Sequence, residues 1–206
     1  MNERGLIGLE TEYGFAVEGR GAAEQVDDAT ACVRAYPGAC FVGWDYSLES
    51  PRADLRGFNL DHLSIDEADA KFDAGRSVSS WDATVRADRV LANGARFYND
   101  HGHPEYSTPE CESLHELVMY DLAGEHAVRR AASAYQAQSG RKVKVYKNNT
   151  DFHGSSYGTH ENYLVPRSIP FAALTEAVIP VLVARQILCG AGKAGSESGE
   201  SVPYQI

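Results

Sequence analysis

Apolar and polar residues alternate from Leu6 to Phe15, a period that predicts a strand. Side chains in a strand return to the same face every second residue, so Glu10 and Glu12 share one. Gln25–Ala35 predicts a short helix that ends before Pro37. From Gly43 to about Val90 the pattern fades into Asp- and Arg-rich sequence, apart from fragments such as Ile65–Phe72. That stretch, about residues 44–90, predicts a long mobile loop, and loops of such length carry function or stay disordered. Asn93-Gly94 is a turn signal. The residues after it read as extended, which places Arg96, Tyr98 and Asp100 on one face. His103-Pro104 should end regular pairing, because proline has no amide donor.

A long helix is expected from about Glu112 to Gln136, with Leu114, Leu117, Val118, Leu122, Val128, Ala132 and Tyr135 along its apolar stripe. Glu125 falls within that stripe and does not match it. Arg141–Lys147 alternates as a half-buried strand, Asn148–Ser156 reads as a loop, and Tyr157–Val165 as a second paired strand. A further helix starts near Pro170, is expected to kink at Pro180, and stops at Gly190. Sheet plus helices gives the α+β class.

Composition narrows the function classes. A chain of 206 residues with 43% hydrophobic content has the material for one domain carrying a long insertion. The formal net charge of −10 argues against nonspecific binding to nucleic acid or to an anionic membrane. It does not argue against a nucleotide, whose phosphates magnesium and a few placed cations can neutralise. The N-terminal sequence lacks the basic start and apolar core of a signal peptide. No apolar run approaches bilayer-spanning length; the nearest, Ala177–Leu188, is interrupted by Pro180 and carries Arg185 and Gln186. Cys32, Cys40, Cys111 and Cys189 show neither CxxC nor disulfide spacing, which reads as reduced cysteines in a cytoplasmic protein.

Chemistry-bearing residues fall in three segments. Glu10 and Glu12 would repel each other unless water screens them or a cation lies between, and hard oxygen donors are what magnesium takes. The plainer reading is a solvated strand face. Residues 93–111 form the densest cluster. There Arg96 offers a phosphate its fork of donors, Asp100 a nucleophile or base, and Glu105 a metal ligand. His101 and His103 have the spacing of a strand-type zinc chelate, but with no soft third ligand nearby they read as structural. In residues 146–165, His160 and Asn162 share a face, which offers a metal ligand beside an amide; taken alone, a histidine in a strand reads more often as structural. GSSYG does not supply a nucleophile elbow, nor GAGKAGSESG a Walker loop, so Lys193 reads as a loop residue.

Together, GLETEYG at 8–14, NGARFYNDHGHPEYSTPEC at 93–111, DLAGE at 121–125 and YKNNTDFHGSSYGTHENYL at 146–164 resemble one family. It contains the ligase for the prokaryotic ubiquitin-like protein, Pup, and the Pup deamidase or depupylase. The resemblance implies a glutamine-synthetase-like fold, a curved antiparallel sheet packed with helices that binds ATP and magnesium. Matched position by position, it implies Glu10, Tyr98, Glu105 and His160 as metal ligands, with Glu12 a further candidate. It implies Asp100 as the catalytic aspartate, and Gly8, Arg96, Ser107, Thr108 and Asn162 as nucleotide contacts.

Within the family, WDYSLESPRADLRGF at 44–58 resembles the start of a loop that the ligases lack, and D-H-G-H-P-E and STPEC also resemble the depupylase branch. KNNTD at 147–151 is closer to the ligases, and Asn99 stands where both branches carry an apolar residue. The expected reaction is deamidation of the C-terminal glutamine of Pup and hydrolysis of the Pup–lysine isopeptide bond. Pup and pupylated proteins would be the partners, with a functional link to the proteasome. The alternatives are a ligase acting through a phosphorylated Pup glutamate, and a noncatalytic Pup- or nucleotide-binding module. Family members continue well past Ile206. Residues 1–206 are therefore expected to be the N-terminal part of the catalytic domain, the remainder absent, and insufficient for catalysis alone.

Overall fold

The computed structural model describes residues 5–44, 84–147, 157–166, 168–190 and 192. The Asn148–Ser156 loop, Lys193 and most of the 44–90 stretch lie outside them. Its main sheet has six strands: β1 (Ile7–Glu12), β3 (Cys40–Val42), β4 (Arg89–Leu91), β5 (Arg96–Asp100), β6 (His103–Ser107) and β8 (Thr159–Tyr163). Their order is β3-β4-β5-β6-β1-β8, and every neighbouring pair is antiparallel. β2 (Gly14–Val17) and β7 (Val143–Tyr146) form a separate two-stranded sheet. The predicted strand from Leu6 to Phe15 is therefore two strands in different sheets. Tyr13, buried between them, donates its backbone N–H to Pro104.

Two helices, α1 (Gln25–Arg34) and α2 (Leu114–Ser139), cover the back of the main sheet. Strand alternation sends Leu9, Thr11, Phe97, Asn99 and Tyr106 toward them. Phe97, Tyr106, Val33, Val128 and Ala131 are fully enclosed in this core. α2 starts at Ser113, whose hydroxyl accepts the Glu116 N–H, and ends at Gly140 in the left-handed conformation with φ of 68°.

The stripe expected for α2 is only half right. Val128 and Ala132 are buried, but Leu114, Val118 and Leu122 are more than half exposed, and the buried face is otherwise Gly124, Ala127 and Ala131. Small residues let the helix lie close on Tyr106: a Cβ at Gly124 would fall inside contact distance of the Tyr106 ring. Glu125, the mismatch, is paired with Lys147 at 3.0 Å.

Three more expectations are corrected. Pro104 lies inside β6, paired with Asn99, and does not end the sheet. In an antiparallel strand a residue's N–H and C=O point the same way. The Pro104 carbonyl points to Tyr13, where β1 has ended, so the missing donor removes no β5 bond. The loop expected over about 44–90 is shorter at its C-terminal end, because residues 84–88 are hydrogen-bonded to α1 and β5 and Arg89–Leu91 is β4.

α3 (Phe171–Cys189) runs through Pro180 as one helix of 19 residues. Its mean hydropathy of 1.6 and its length are those of a membrane-crossing helix, which the sequence reading had set aside. A proline inside a helix removes one backbone bond without stopping the others. Core helices of soluble proteins share that length and composition. Arg185 binds Glu161 of β8 at 2.6 Å and tethers the helix to the sheet edge. The four cysteines are unpaired, as expected.

Candidate active site

The face of the main sheet turned away from α1 and α2 gathers the chemistry. Register places Gly8 and Glu10 opposite Asn162 and His160 of β8, Glu10 opposite Ser107, and Glu12 opposite Glu105. On the other side of β6, Arg96 faces Ser107, Tyr98 faces Glu105 and Asp100 faces His103. Every site residue expected from the sequence thus lies on this face or at its rim. Thr108 is at the rim, where β6 has ended. Its hydroxyl accepts the Leu9 N–H at 3.0 Å, and Gly8 leaves open the space beside it.

Glu105 is the centre. It is 2% exposed and accepts a 2.6 Å hydrogen bond from the Tyr98 hydroxyl. Burial pushes its carboxyl up to about 7; the Tyr98 bond opposes this, and Asp100, Glu10 and Glu12 add to it. Burial, together with the Glu105 charge, drives the Tyr98 phenol far above its usual value. Glu10 holds the His160 ring at 3.1 Å, and that bond raises the His160 pKa despite partial burial. Glu12 lies 3.5 Å from the His103 ring and accepts the Gly158 N–H at 2.8 Å. The His103 bond lowers its pKa, burial opposes, and the Gly158 bond lowers it further.

Asp100 sits between two cations or potential cations. Arg86 reaches one carboxylate oxygen at 3.2 Å and the His101 ring reaches the other at 3.2 Å. Burial would raise its pKa, but His101 and Arg86 outweigh that and hold it below the ordinary aspartate range. A carboxylate kept ionised within a partly buried site is equipped to attack an acyl carbon or to take a proton.

Among the described residues two groups can converge on a cation: Glu10, Glu105 and His160, and Glu12, Asp100 and Glu105. The ligand atoms of each lie within 4.8 Å of one another. Carboxylates outnumber imidazole in both, a donor set that fits magnesium or manganese rather than a thiophilic metal. Neither His101 nor His103 belongs to such a group among the described residues; they turn to different carboxylates, which removes the support for a zinc chelate. Arg96 is present on the face, but its Nε and Nη2 donate to the buried Asp88 at 2.9 and 2.8 Å, with its guanidinium 4.3 Å from the Tyr98 ring centroid. The phosphate contact expected of it must use the rest of the fork.

Arg86 and Asp88 were missed by the sequence reading because they fall in what looked like loop. Val90 and Leu91, just before the Asn93-Gly94 turn, are the signal of a hairpin strand that would have placed them. A cavity of about 390 Å³ lined by Pro37, His126, Arg129, Arg130, Ser133 and Ala134 opens on the helices and includes none of the site residues.

Comparisons with known proteins identify the family and the fold. The family model described as Pup-ligase protein matches residues 5–206. The Pup deamidase/depupylase of Mycolicibacterium smegmatis is 38% identical over 98% of this chain and 40% of its own length. The Pup–protein ligase of Corynebacterium jeikeium is 50% identical, but over 54% of this chain and 23% of its own length. Among solved structures, the ligase PafA in complex with Pup matches 98% of this chain and 33% of its own, with a TM-score of 0.64 and 27% identity. The fold is thus the glutamine-synthetase-like α+β fold implied by the sequence motifs. The chain spans about 40% of the length of the depupylase that it matches.

Proposed function

The chain belongs to the Pup-ligase family, and from that membership we propose that its open sheet face is part of the site of an amide and isopeptide hydrolase acting on Pup. The observation that carries this reading is Asp100, held ionised next to the Tyr98–Glu105 and Glu10–His160 pairs on one face. Sequence alignment over 98% of this chain with a depupylase, against 54% with a ligase, favours hydrolysis over ligation.

Glu10, Tyr98, Glu105 and His160 would hold magnesium. Gly8, Arg96, Ser107, Thr108 and Asn162 would hold the nucleotide, with Gly8 and Asn162 at paired register positions. Bound magnesium would supply positive charge for the oxyanion that develops as an amide carbonyl is attacked. Asp100 would attack the side-chain carbonyl of the C-terminal glutamine of Pup, or take a proton from water that attacks it. In the first case a bond forms between an Asp100 oxygen and the acyl carbon, the C–N bond breaks and the leaving nitrogen picks up a proton; water then cleaves the mixed anhydride into the Pup glutamate carboxylate and free Asp100. Ammonia leaves from free Pup, and a lysine amine leaves from a conjugate. Pupylated proteins, a link to the proteasome and a cytoplasmic setting are part of the same proposal, and the activity is that of the whole protein.

The test is an assay with ATP and magnesium on Pup ending in glutamine and on a Pup–lysine conjugate. Ammonia release or conjugate cleavage that Asp100→Asn abolishes supports the hydrolase. The second reading, a ligase, is favoured by the structural likeness to a ligase bound to Pup. It requires the opposite result: conjugate formation from Pup ending in glutamate, with ATP consumed. Pup binding that survives with neither activity, in the chain completed to the length of its relatives, would leave a noncatalytic module.

A further inference from the structure

Arg86 stands outside every motif in the sequence, yet it is fixed with unusual care. Its neighbours are tied down from both α1 and β5. Arg34 donates to the Thr84 carbonyl at 2.7 Å, while Thr30 and Asn99 both donate to the Val85 carbonyl, at 2.8 and 3.2 Å. Arg89 donates to the Ala87 and Asp88 carbonyls at 2.8 and 3.0 Å. These bonds hold Ala87, a buried non-glycine residue, in the left-handed region with φ of 54°. Such a conformation is costly and persists only where its surroundings enforce it. The enforced turn delivers the Arg86 guanidinium to Asp100 at 3.2 Å and leaves it 5.3 Å from the Tyr98 ring centroid. On the other side of the pair His101, which meets the second Asp100 oxygen, is also left-handed, with φ of 48°.

The site has a choice to make. Glu105 belongs to both cation-competent groups, one completed by Glu10 and His160, the other by Glu12 and Asp100. A carboxylate bound into the second group would lend its electrons to a metal and be a poor nucleophile or base. We propose that Arg86 is a positioning residue that keeps Asp100 out of the cation's ligand set and so reserves its carboxylate for reaction. The inference rests on the metal-and-nucleophile reading above. Its physical basis is simple: both Asp100 oxygens already have partners, Arg86 on one and His101 on the other, and the positive charge of Arg86 repels a cation drawn to the same place. Asn99, where relatives were expected to carry an apolar residue, is one of the anchors that aim it.

The experiment titrates the whole chain with Mn2+ alone, followed by calorimetry and by the electron paramagnetic resonance of free Mn2+. Wild type, Arg86→Gln, Asp100→Asn and the double variant are compared, each first shown to melt cooperatively. Arg86→Gln should bind a second Mn2+, or bind Mn2+ about tenfold or more tightly, since the site gains one carboxylate ligand. The double variant should lose that gain. Arg86→Lys keeps the charge and should behave as wild type, while Arg86→Met also removes the charge and should show the same gain, which covers the case in which Arg86→Gln does not fold. Binding in Arg86→Gln that equals wild type, or a gain that survives Asp100→Asn, overturns the role given to Arg86. Failure of every variant, wild type included, to bind Mn2+ overturns the metal reading itself and the inference with it.

Discussion

Replacing Glu105 with glutamine separates the cost of its charge from the rest of the fold. The residue is 2% exposed, surrounded by Glu10, Glu12 and Asp100, and titrates at about 7 against an ordinary value of 4.5. Between those two pH values the folded chain holds a proton on Glu105 that the unfolded chain has released. Stability must therefore fall as pH rises from about 4.5 to about 7, and level off above it. At roughly 1.4 kcal/mol per pH unit, the whole window costs about 3 kcal/mol. Glutamine has the same shape, can still accept the Tyr98 hydroxyl, and never ionises.

Urea unfolding at pH 5, 6, 7 and 8 in the presence of a chelator reads this directly. Wild type should lose about 3 kcal/mol relative to Glu105→Gln across the series. Comparing the two removes the part of the His160 contribution that comes from its bond to Glu10; the smaller part that comes from the Glu105 charge changes with the substitution and has the same sign, favouring the fold at low pH. Saturating Mn2+ should then reverse the order at pH 8, because a cation stabilises the charged carboxylate and has less to hold in the variant. Wild type and Glu105→Gln falling in parallel with pH would refute the reasoning, as would a difference that grows only above pH 8.

Other consequences follow from single contacts. Asn99→Leu leaves the buried Gly102 N–H without its acceptor and removes one of two bonds to the Val85 carbonyl, which Thr30 still holds; it should cost about 1–3 kcal/mol in chemical unfolding. Gly124→Ala pushes α2 off Tyr106 and should lower stability by roughly 1–3 kcal/mol with a drop in melting temperature; an unchanged melting curve would mean the helix has room to shift. In Glu10→Gln, proton NMR should show His160 titrating at lower pH than in wild type, because the charge that raises its pKa is gone. An unmoved titration would separate the two residues.

The faces of the strands were readable although burial does not alternate along β5 or β8. Extended backbone alone repeats every second residue, so Arg96, Tyr98, Asp100, His160 and Asn162 could be assigned to faces before any register was known. Register itself was not readable. Nothing in the chain states that β1 lies between β6 and β8, and it is this placement that brings Glu10 to His160 and Glu12 to Glu105. α2 misled for a different reason. Hydrophobicity picks out leucines, whereas close packing on an aromatic ring selects Gly124, Ala127 and Ala131, which carry a weak apolar signal.

The least readable residues are also the ones that hold the proposed nucleophile. Arg86 and Asp88 act through backbone carbonyls and a left-handed alanine, none of which has a period or a motif. Asp88 is buried on Arg96, and Arg86 is braced against Asp100. Two arginines are thus each committed to one aspartate, and both lie beside the Tyr98 ring. With net charge −10 on the chain and at least four acids on this face, these fixed guanidiniums set which carboxylates remain free for a cation. On this view the metal ligands of the site are chosen as much by what occupies Asp100 as by the carboxylates that face the metal.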